Sequence, residues 1–283
     1  MITNEILENI IEQAFAEDIG TGDITSLSTI PETAMSKAKC LIKDDGVLAG
    51  VEFAQKAFEM LDKNLQVEVL LTDGTRVKKG DIAFFVSGSA RSLLMAERLV
   101  LNVMQRMSGI ATQTAQVVQL LEGTKCKVLD TRKTTPLIRA LEKWAVKIGG
   151  GTNHRFGLYD MVMIKDNHAD YAGGITNAVK SCQKYLNEHQ LQVKIEVETR
   201  NLAEVQEALA VGGIDVIMLD NMSLDMMREA VAMIGDTCQT EASGGITLAT
   251  IREVAETGVD FVSMGALTHS VKSLDISLKA VKN

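Results

Sequence analysis

The chain has 283 residues, of which 46% are hydrophobic and only 2 are proline, so it can bury a sizeable core in one or two domains and is not a disordered or linker-rich protein. Its formal net charge of −8 argues against a nucleic-acid or membrane-surface role, which needs a basic face. No apolar run approaches the roughly 18 residues that a membrane span requires, and the acidic, amphipathic N-terminus is no signal peptide.

Four widely separated cysteines without a C-x-x-C pair read as reduced thiols of a cytoplasmic protein, not as a disulfide framework or a structural zinc site. Apolar residues at helical spacing predict a first helix over 4–16, capped by Asn4. The acidic, glycine-rich stretch Glu17 to Thr25 is either a surface turn or a segment near a ligand. Short strands over 38–51 and 65–86 are punctuated at Asp44-Asp45-Gly46, Asp73-Gly74 and Lys79-Gly80-Asp81, with a helix over 51–61 between them. The run Asp73 to Ala83 resembles the hammerhead of lipoyl and biotinyl domains, but it presents no lysine at a tight turn beside methionines. Residues 1–110 are therefore expected to form a separate α/β sandwich domain.

A strong helix is predicted over 90–107, with Leu93, Ala96, Val100, Met104 and Met107 as one apolar stripe. Arg98 lies off its open face, between Leu94 and Leu101. A cation there either extends its head to water or needs a partner or ligand. Ser108-Gly109 should end this helix, and a second should run from Ile110 to Leu121.

From Val128 onward one plan repeats. A short apolar run stops at a charged or glycine-rich cluster: Leu129 before Asp130-Thr131-Arg132-Lys133, Ile164 before Lys165, Val197 before Glu198, Leu219 before Asp220, Ala242 before Ser243-Gly244-Gly245, and Met264 before Gly265. The last four stops are about 22 residues apart, the length of one strand-plus-helix unit. Strands that stay apolar and turn polar only at their C-terminal ends belong to a parallel sheet buried on both faces. No G-x-G-x-x-G follows a first strand, which favours a barrel of the TIM type over a doubly wound sheet. In such a barrel every one of these stops faces a single mouth. Pro136 should open a helix running to Ile148, and Gly149-Gly150-Gly151 then leads to His154-Arg155, a glycine turn that can offer backbone N–H groups to an anion.

Arg132, Lys133, His154, Arg155 and Lys165, with Arg98 as a candidate sixth, would concentrate positive charge in a negatively charged protein, a field suited to an anionic substrate. Glu198 and Asp220 are the exceptions. Two carboxylates at successive strand ends can hold a hard divalent ion such as Mg²⁺, stabilise a cationic sugar transition state, or simply neutralise the lysines. Lys165 could alternatively be a Schiff-base lysine, although that chemistry calls for an apolar pocket and Asp166 and His168 are its neighbours.

As an ordered set, the motifs Gly22-Asp23-Ile24-Thr25, Glu97-Arg98, Ser108-Gly109-Ile110-Ala111-Thr112, Thr131-Arg132-Lys133-Thr134-Thr135-Pro136, Gly150-Gly151-x-x-His154-Arg155, Lys165-Asp166-Asn167-His168, Glu196-Val197-Glu198, Leu219-Asp220-Asn221, Glu241-Ala242-Ser243-Gly244-Gly245 and Ser263-Met264-Gly265 resemble the quinolinate phosphoribosyltransferase family over essentially the whole length. The resemblance implies a sandwich domain (1–110), an incomplete α/β barrel (111–271) and a C-terminal tail (272–283) packed back on the first domain. It implies transfer of phosphoribosyl from phosphoribosyl pyrophosphate to quinolinate, with loss of CO₂, supported by Mg²⁺. Arg132, His154, Arg155 and Lys165 would hold the two quinolinate carboxylates, and Lys133, Thr134 and Lys165 would contact the donor. Glu198 and Asp220 would bind the ribose hydroxyls and the metal. Ser243, Gly244, Gly245 and Gly265 would hold the 5′-phosphate, with His269 nearby. Arg98 would be supplied by the partner subunit of a homodimer, with a hexamer as a further option.

Overall fold

A computed structural model describes residues 2–281. Along the chain run α1 (Asn4–Ile19), α2 (Ile24–Thr29), β1 (Met35–Ile42), β2 (Gly46–Val47), α3 (Val51–Leu61), β3 (Gln66–Val69), β4 (Arg76–Val77), β5 (Ile82–Ser89) and α4 (Ala90–Leu120). Then follow β6 (Lys127–Leu129), α5 (Arg139–Ile148), β7 (Val162–Ile164), α6 (Asp166–Ala172), α7 (Ile175–Glu188), β8 (Ile195–Thr199) and α8 (Leu202–Val211). The last are β9 (Val216–Asp220), α9 (Leu224–Ile234), β10 (Gln239–Ser243), α10 (Ile251–Ala255), β11 (Phe261–Ser263), α11 (Ala266–His269) and β12 (Ile276–Ala280).

Two compact units emerge, and neither is a single stretch of chain. One comprises 1–115, 134–150 and 266–283; the other comprises 116–133 and 151–265. The first is built on an antiparallel sheet of order β12-β1-β5-β3 and a small ribbon, β2-β4. The C-terminal strand closes the sheet: Ile276 to Ala280 pairs with Ile42 to Ala38. Residues 282 and 283, the last of the tail expected to pack back, lie outside the described residues. Alternation buries one face of β1, where Cys40 and Ile42 are fully enclosed with Phe53, Phe58 and Phe84. The Asp73-Gly74 turn has a structural task, since the Asp73 carboxylate accepts the Val51 N–H at 2.8 Å and so caps α3.

Several local expectations are corrected here. Thr3, not Asn4, caps the first helix, its hydroxyl accepting the Ile6 N–H. Asp23 caps α2, its carboxylate accepting the Thr25 and Ser26 N–H groups at 3.1 and 3.0 Å, so the Glu17–Thr25 stretch is the end of α1, a four-residue connection (20–23) and the start of α2. Ser108-Gly109 does not end a helix, for α4 runs on to Leu120. The Ser108 hydroxyl is taken up by the Ala49 backbone, at 2.9 and 3.1 Å. A Cβ at residue 109 would collide with the Lys272 carbonyl, so that glycine serves close packing rather than termination. Pro136 does not open α5 either; Leu137 is left-handed (φ 69°) and the helix begins only at Arg139.

The second unit is a six-stranded parallel sheet of order β6-β11-β10-β9-β8-β7. It follows chain order around a curve from β7 to β11 and then returns to β6, but β6 and β7 do not pair. The sheet is thus an α/β barrel left open on one side. At that gap Thr152 forms an isolated parallel bridge with Leu129, donating its N–H to the Val128 carbonyl and accepting the Asp130 N–H on its own carbonyl. One residue stands where a further strand would be, and the chain goes straight on into Asn153-His154-Arg155. Val216 to Leu219 of β9 and Ile195 to Val197 of β8 are buried, and Asp220 and Glu198 beyond them are half-buried, as in a sheet covered on both faces.

Candidate active site

Parallel register brings the polar ends of the strands together. Ser243 lies opposite Asp220, Leu219 opposite Thr199, and Val197 opposite Ile164. Arg132, Lys133, His154, Arg155, Lys165, Glu198, Asp220, Ser243, Gly244, Gly245 and Gly265 all belong to this unit; Arg98, Thr134 and His269 belong to the other. Arg98 is exposed, as is Leu94 (47%) one turn before it. The expectation that Arg98 lies off the open face of its helix is therefore corrected for the single chain.

At one group of strand ends, Asp220, Lys165 and Asp166 lie within electrostatic range of Glu198. Burial raises the Glu198 carboxyl above its ordinary value and Asp220 raises it further, while Lys165 opposes the shift. Asp220 is oriented by its neighbour, whose Asn221 Nδ2 donates to the Asp220 carboxylate at 2.7 Å. Asn221 does this in a left-handed conformation (φ 53°), with its N–H bonded to the Ser243 carbonyl at 2.9 Å. Gly244 is positive in φ (97°), and a Cβ there would strike the Asn221 side chain. Nothing lies within 4 Å of the Cβ position at Gly245, and neither glycine N–H is bonded within the described residues.

The second group is cationic. Arg155 follows the Thr152 bridge. Burial makes its guanidinium easier to deprotonate than usual, and repulsion from Arg132 adds to this. Neither arginine, nor Lys165, has a carboxylate within ion-pair distance among the described residues. Arg155 Nη1 donates to the Met161 carbonyl at 3.2 Å, but its buried Nε has no hydrogen-bond partner. Glu196 and Asp160 oppose the shift, though neither is within ion-pair distance of the guanidinium, and the two guanidiniums together are suited in charge to an anion.

Behind this pair lies a cluster that the sequence reading did not identify as a unit. The His154 side chain is 7% exposed, and its Nε2 lies 2.9 Å from Glu196 and 3.4 Å from Glu241, both buried. Burial disfavours the imidazolium and the two carboxylates favour it, with a net push upward. His154 Nδ1, however, accepts the Arg155 N–H at 2.6 Å, and an imidazolium has no lone pair for that bond. Neither Glu196 oxygen has a hydrogen-bond partner among the described residues, so its approach to Nε2 is an ion-pair distance and not a formed hydrogen bond. The remaining strain falls on Glu196, whose carboxyl burial pushes up to about 7. The three ligand atoms lie within 4.8 Å of one another. Nδ1 is engaged by the Arg155 N–H, which leaves Nε2 to face the two carboxylates. The alternation of β8 and β10 was the available signal: Glu196 and Glu241 share the inward face with Glu198 and Ser243.

An open parallel barrel whose strand ends gather unneutralised arginines, a lysine and two carboxylates defines the class: an α/β-barrel enzyme acting on a multiply anionic substrate. Residues 23–108 match the quinolinate phosphoribosyl transferase N-terminal domain and residues 110–279 match its C-terminal domain. The chain is 49% identical to a chloroplastic, carboxylating nicotinate-nucleotide pyrophosphorylase of Arabidopsis thaliana, over 96% of this chain and 82% of that protein. It is 45% identical to a probable carboxylating nicotinate-nucleotide pyrophosphorylase of Bacillus subtilis, over 96% and 92%. The crystal structure of NadC from Streptococcus pyogenes superposes with a TM-score of 0.93 at 38% identity, covering 100% of this chain and 99% of that one. The chain belongs to the quinolinate phosphoribosyl transferase family.

Proposed function

We infer that this chain transfers the phosphoribosyl group of phosphoribosyl pyrophosphate to quinolinate and decarboxylates the adduct, giving nicotinate mononucleotide, pyrophosphate and CO₂. The observation that carries the site assignment is the repulsive pair Arg132–Arg155, with its unpartnered Nε, beside an equally unpaired Lys165. Two arginines and a lysine match a diacid in charge and in bidentate geometry. Lys133 and Thr134 contact the donor. The unbonded N–H groups of Gly244 and Gly245, with Ser243 and Gly265, suit the 5′-phosphate, with His269 nearby.

Glu198 and Asp220 take the ribose hydroxyls. They are hard oxygen donors at adjacent strand ends, and the raised Glu198 carboxyl is what crowding by a second carboxylate produces. This fits Mg²⁺, to which two carboxylates would contribute part of the shell, the rest coming from donor phosphate and water. Bound there, Mg²⁺ would offset the charge of the departing pyrophosphate.

The rest of the chemistry follows from positioning and charge. As pyrophosphate leaves, the pyridine nitrogen bonds to the ribose carbon and becomes cationic. The carboxylate next to that nitrogen leaves as CO₂, its bonding electrons staying on the ring carbon beside N⁺, where a proton is then taken up. Lys133 and Lys165 lower the charge of the leaving group, while Arg132 and Arg155 keep the ring still. Arg98, exposed beside the equally exposed Leu94, serves the site of a partner subunit in a homodimer, and a hexamer is a further assembly of such dimers. No helix among the described residues is long and apolar enough to cross a membrane, and we assign the enzyme to the cytoplasm. The deciding assay is CO₂ release with quinolinate against nucleotide formation from nicotinate. A chain that uses nicotinate and leaves quinolinate untouched does not have this function.

A further inference from the structure

Arg106, Gly109 and Gln113 of α4 are spaced by three and four residues, so they share one face of that helix. All three meet the chain that follows Gly265, within the first unit. The Gln113 side-chain amide donates to the Ala266 carbonyl at 3.3 Å, and Arg106 Nη2 donates to the Thr268 carbonyl at 2.9 Å. A Cβ at residue 109 would strike the Lys272 carbonyl. The turn Ala266–His269 (α11) is a single helical turn, too short to satisfy its own carbonyls, and α4 supplies the donors.

Arg106 also grips a second stretch. The same Nη2 donates to the Thr135 hydroxyl at 3.0 Å, while Nε donates to the Glu142 carboxylate at 2.7 Å. The other Glu142 oxygen accepts the Thr135 N–H at 3.2 Å. Glu142 is 1% exposed, a buried carboxylate committed to one guanidinium and one backbone amide. Thr135 is thus fixed through its N–H and its hydroxyl, just ahead of the left-handed Leu137 (φ 69°). Thr135 is bonded directly to Thr134, and Thr268 to His269.

We propose that Arg106 and Glu142 are positioning residues for the phosphoribosyl donor: one guanidinium, held by Glu142, ties Thr135 to Thr268 and so sets the spacing of Thr134 and His269. The proposal rests on the reading of Thr134 and His269 given above. A buried ion pair is weak as a source of stability, and apolar side chains of similar volume serve as well or better. What this pair adds is geometry. The planar fork of arginine directs several N–H groups at fixed angles, which the point charge of a lysine does not.

The test is steady-state kinetics of the full-length enzyme with both substrates varied, alongside thermal melts. Arg106→Lys keeps a cation beside Glu142 and loses the grip on two stretches. It should raise the KM for phosphoribosyl pyrophosphate about tenfold or more, the range of a lost charged hydrogen bond, with the quinolinate KM within about twofold. Arg106→Met combined with Glu142→Leu leaves no buried charge unpaired, so the melt should hold or rise while the donor KM rises as in Arg106→Lys. Thr135→Val removes one hydroxyl and should raise the donor KM about threefold, but should add little in the Arg106→Lys background. An unchanged donor KM in Arg106→Lys, or an equal rise in both KM values, overturns the proposal. So does a paired variant that melts lower while both KM values hold, which marks the pair as structural only. Should the paired variant fail to fold, Arg106→Lys and Thr135→Val decide by the same KM comparison. Thr134→Ala and His269→Ala test the parent reading. If neither changes the donor KM, the donor assignment fails, whatever Arg106 does; if they raise it and Arg106→Lys does not, only the positioning role fails.

Discussion

The two ends of the barrel strands treat charge in opposite ways. At the N-terminal ends, carboxylates are satisfied within the protein. Asp215 accepts the Ile195 N–H at 2.8 Å. Asp260 accepts the Thr240 N–H and hydroxyl, each at 2.8 Å, and pairs with Lys125 at 2.8 Å. At the C-terminal ends Arg132, Arg155 and Lys165 have no carboxylate within ion-pair distance among the described residues, and Glu198 is held with a raised carboxyl. The same backbone register serves both ends, so the contrast comes entirely from which side chains are placed there. The charges of one end tie strands together, whereas Arg132, Arg155 and Lys165 at the other lack such partners.

The largest effects should come from removing cations of the mouth. Arg132→Ala and Lys133→Ala should each lower kcat/KM by about 10² or more, the cost of lost charge stabilisation in a water-excluded site. Both residues are exposed in the single chain, so thermal melts should barely move. Unchanged turnover in both variants breaks the comparison at its functional end. Next in size are Glu198→Gln and Asp220→Asn, each expected to weaken use of phosphoribosyl pyrophosphate about tenfold or more, the range of a lost charged hydrogen bond. Glu198 carries a sign that can be checked. Its carboxyl titrates higher folded than unfolded, so the folded chain retains a proton that the unfolded chain has released. Its contribution to stability therefore falls as pH rises above the ordinary carboxylate range. Glu198→Gln should remove that decline, which denaturant titrations across pH 4–7 would detect.

Much of this layout was legible in the sequence, because the parallel strands leave a double signature: apolar runs about four residues long, then an abrupt polar stop. The six runs became β6 to β11, and their stops became the mouth. What stayed hidden depended on contacts far apart in the chain. Gly109 looked like a helix end because a glycine's near neighbours cannot reveal that the Lys272 backbone lies against it. Pro136 has the right local chemistry to start a helix, but Leu137 leaves the helical region and delays it to Arg139. The surroundings of the His154 ring were hidden for the same reason. The carboxylates that face it, Glu196 and Glu241, come from strands more than 40 and 80 positions further on.

Smaller effects test the backbone at each end. Gly244→Ala forces a left-handed conformation on a residue with a Cβ and drives that atom into the Asn221 side chain. It should cost about 1–3 kcal/mol of stability, and because Asn221 orients Asp220, the KM for the phosphoribosyl donor should rise with it. A melt that shifts while the donor KM stays fixed would separate the glycine turn from Asp220.

The smallest effect belongs to the opposite end of the barrel. Burial pushes the Asp260 carboxyl upward, but Lys125 and the two Thr240 donors outweigh it, so the group titrates below its ordinary value. A lowered folded value means stability that is present above the ordinary carboxylate range and lost as pH falls through the folded value. Asp260→Asn keeps the shape, can still accept from Thr240, and loses only the charge, much of it solvent-screened. It should cost about 1 kcal/mol or less at neutral pH and flatten the acid limb of the stability profile, with both KM values and kcat unchanged. If this substitution instead altered kinetics as strongly as Glu198→Gln, the two strand ends would not be divided between cohesion and catalysis, and the contrast between satisfied and unsatisfied charge would lose its meaning as a guide to the site.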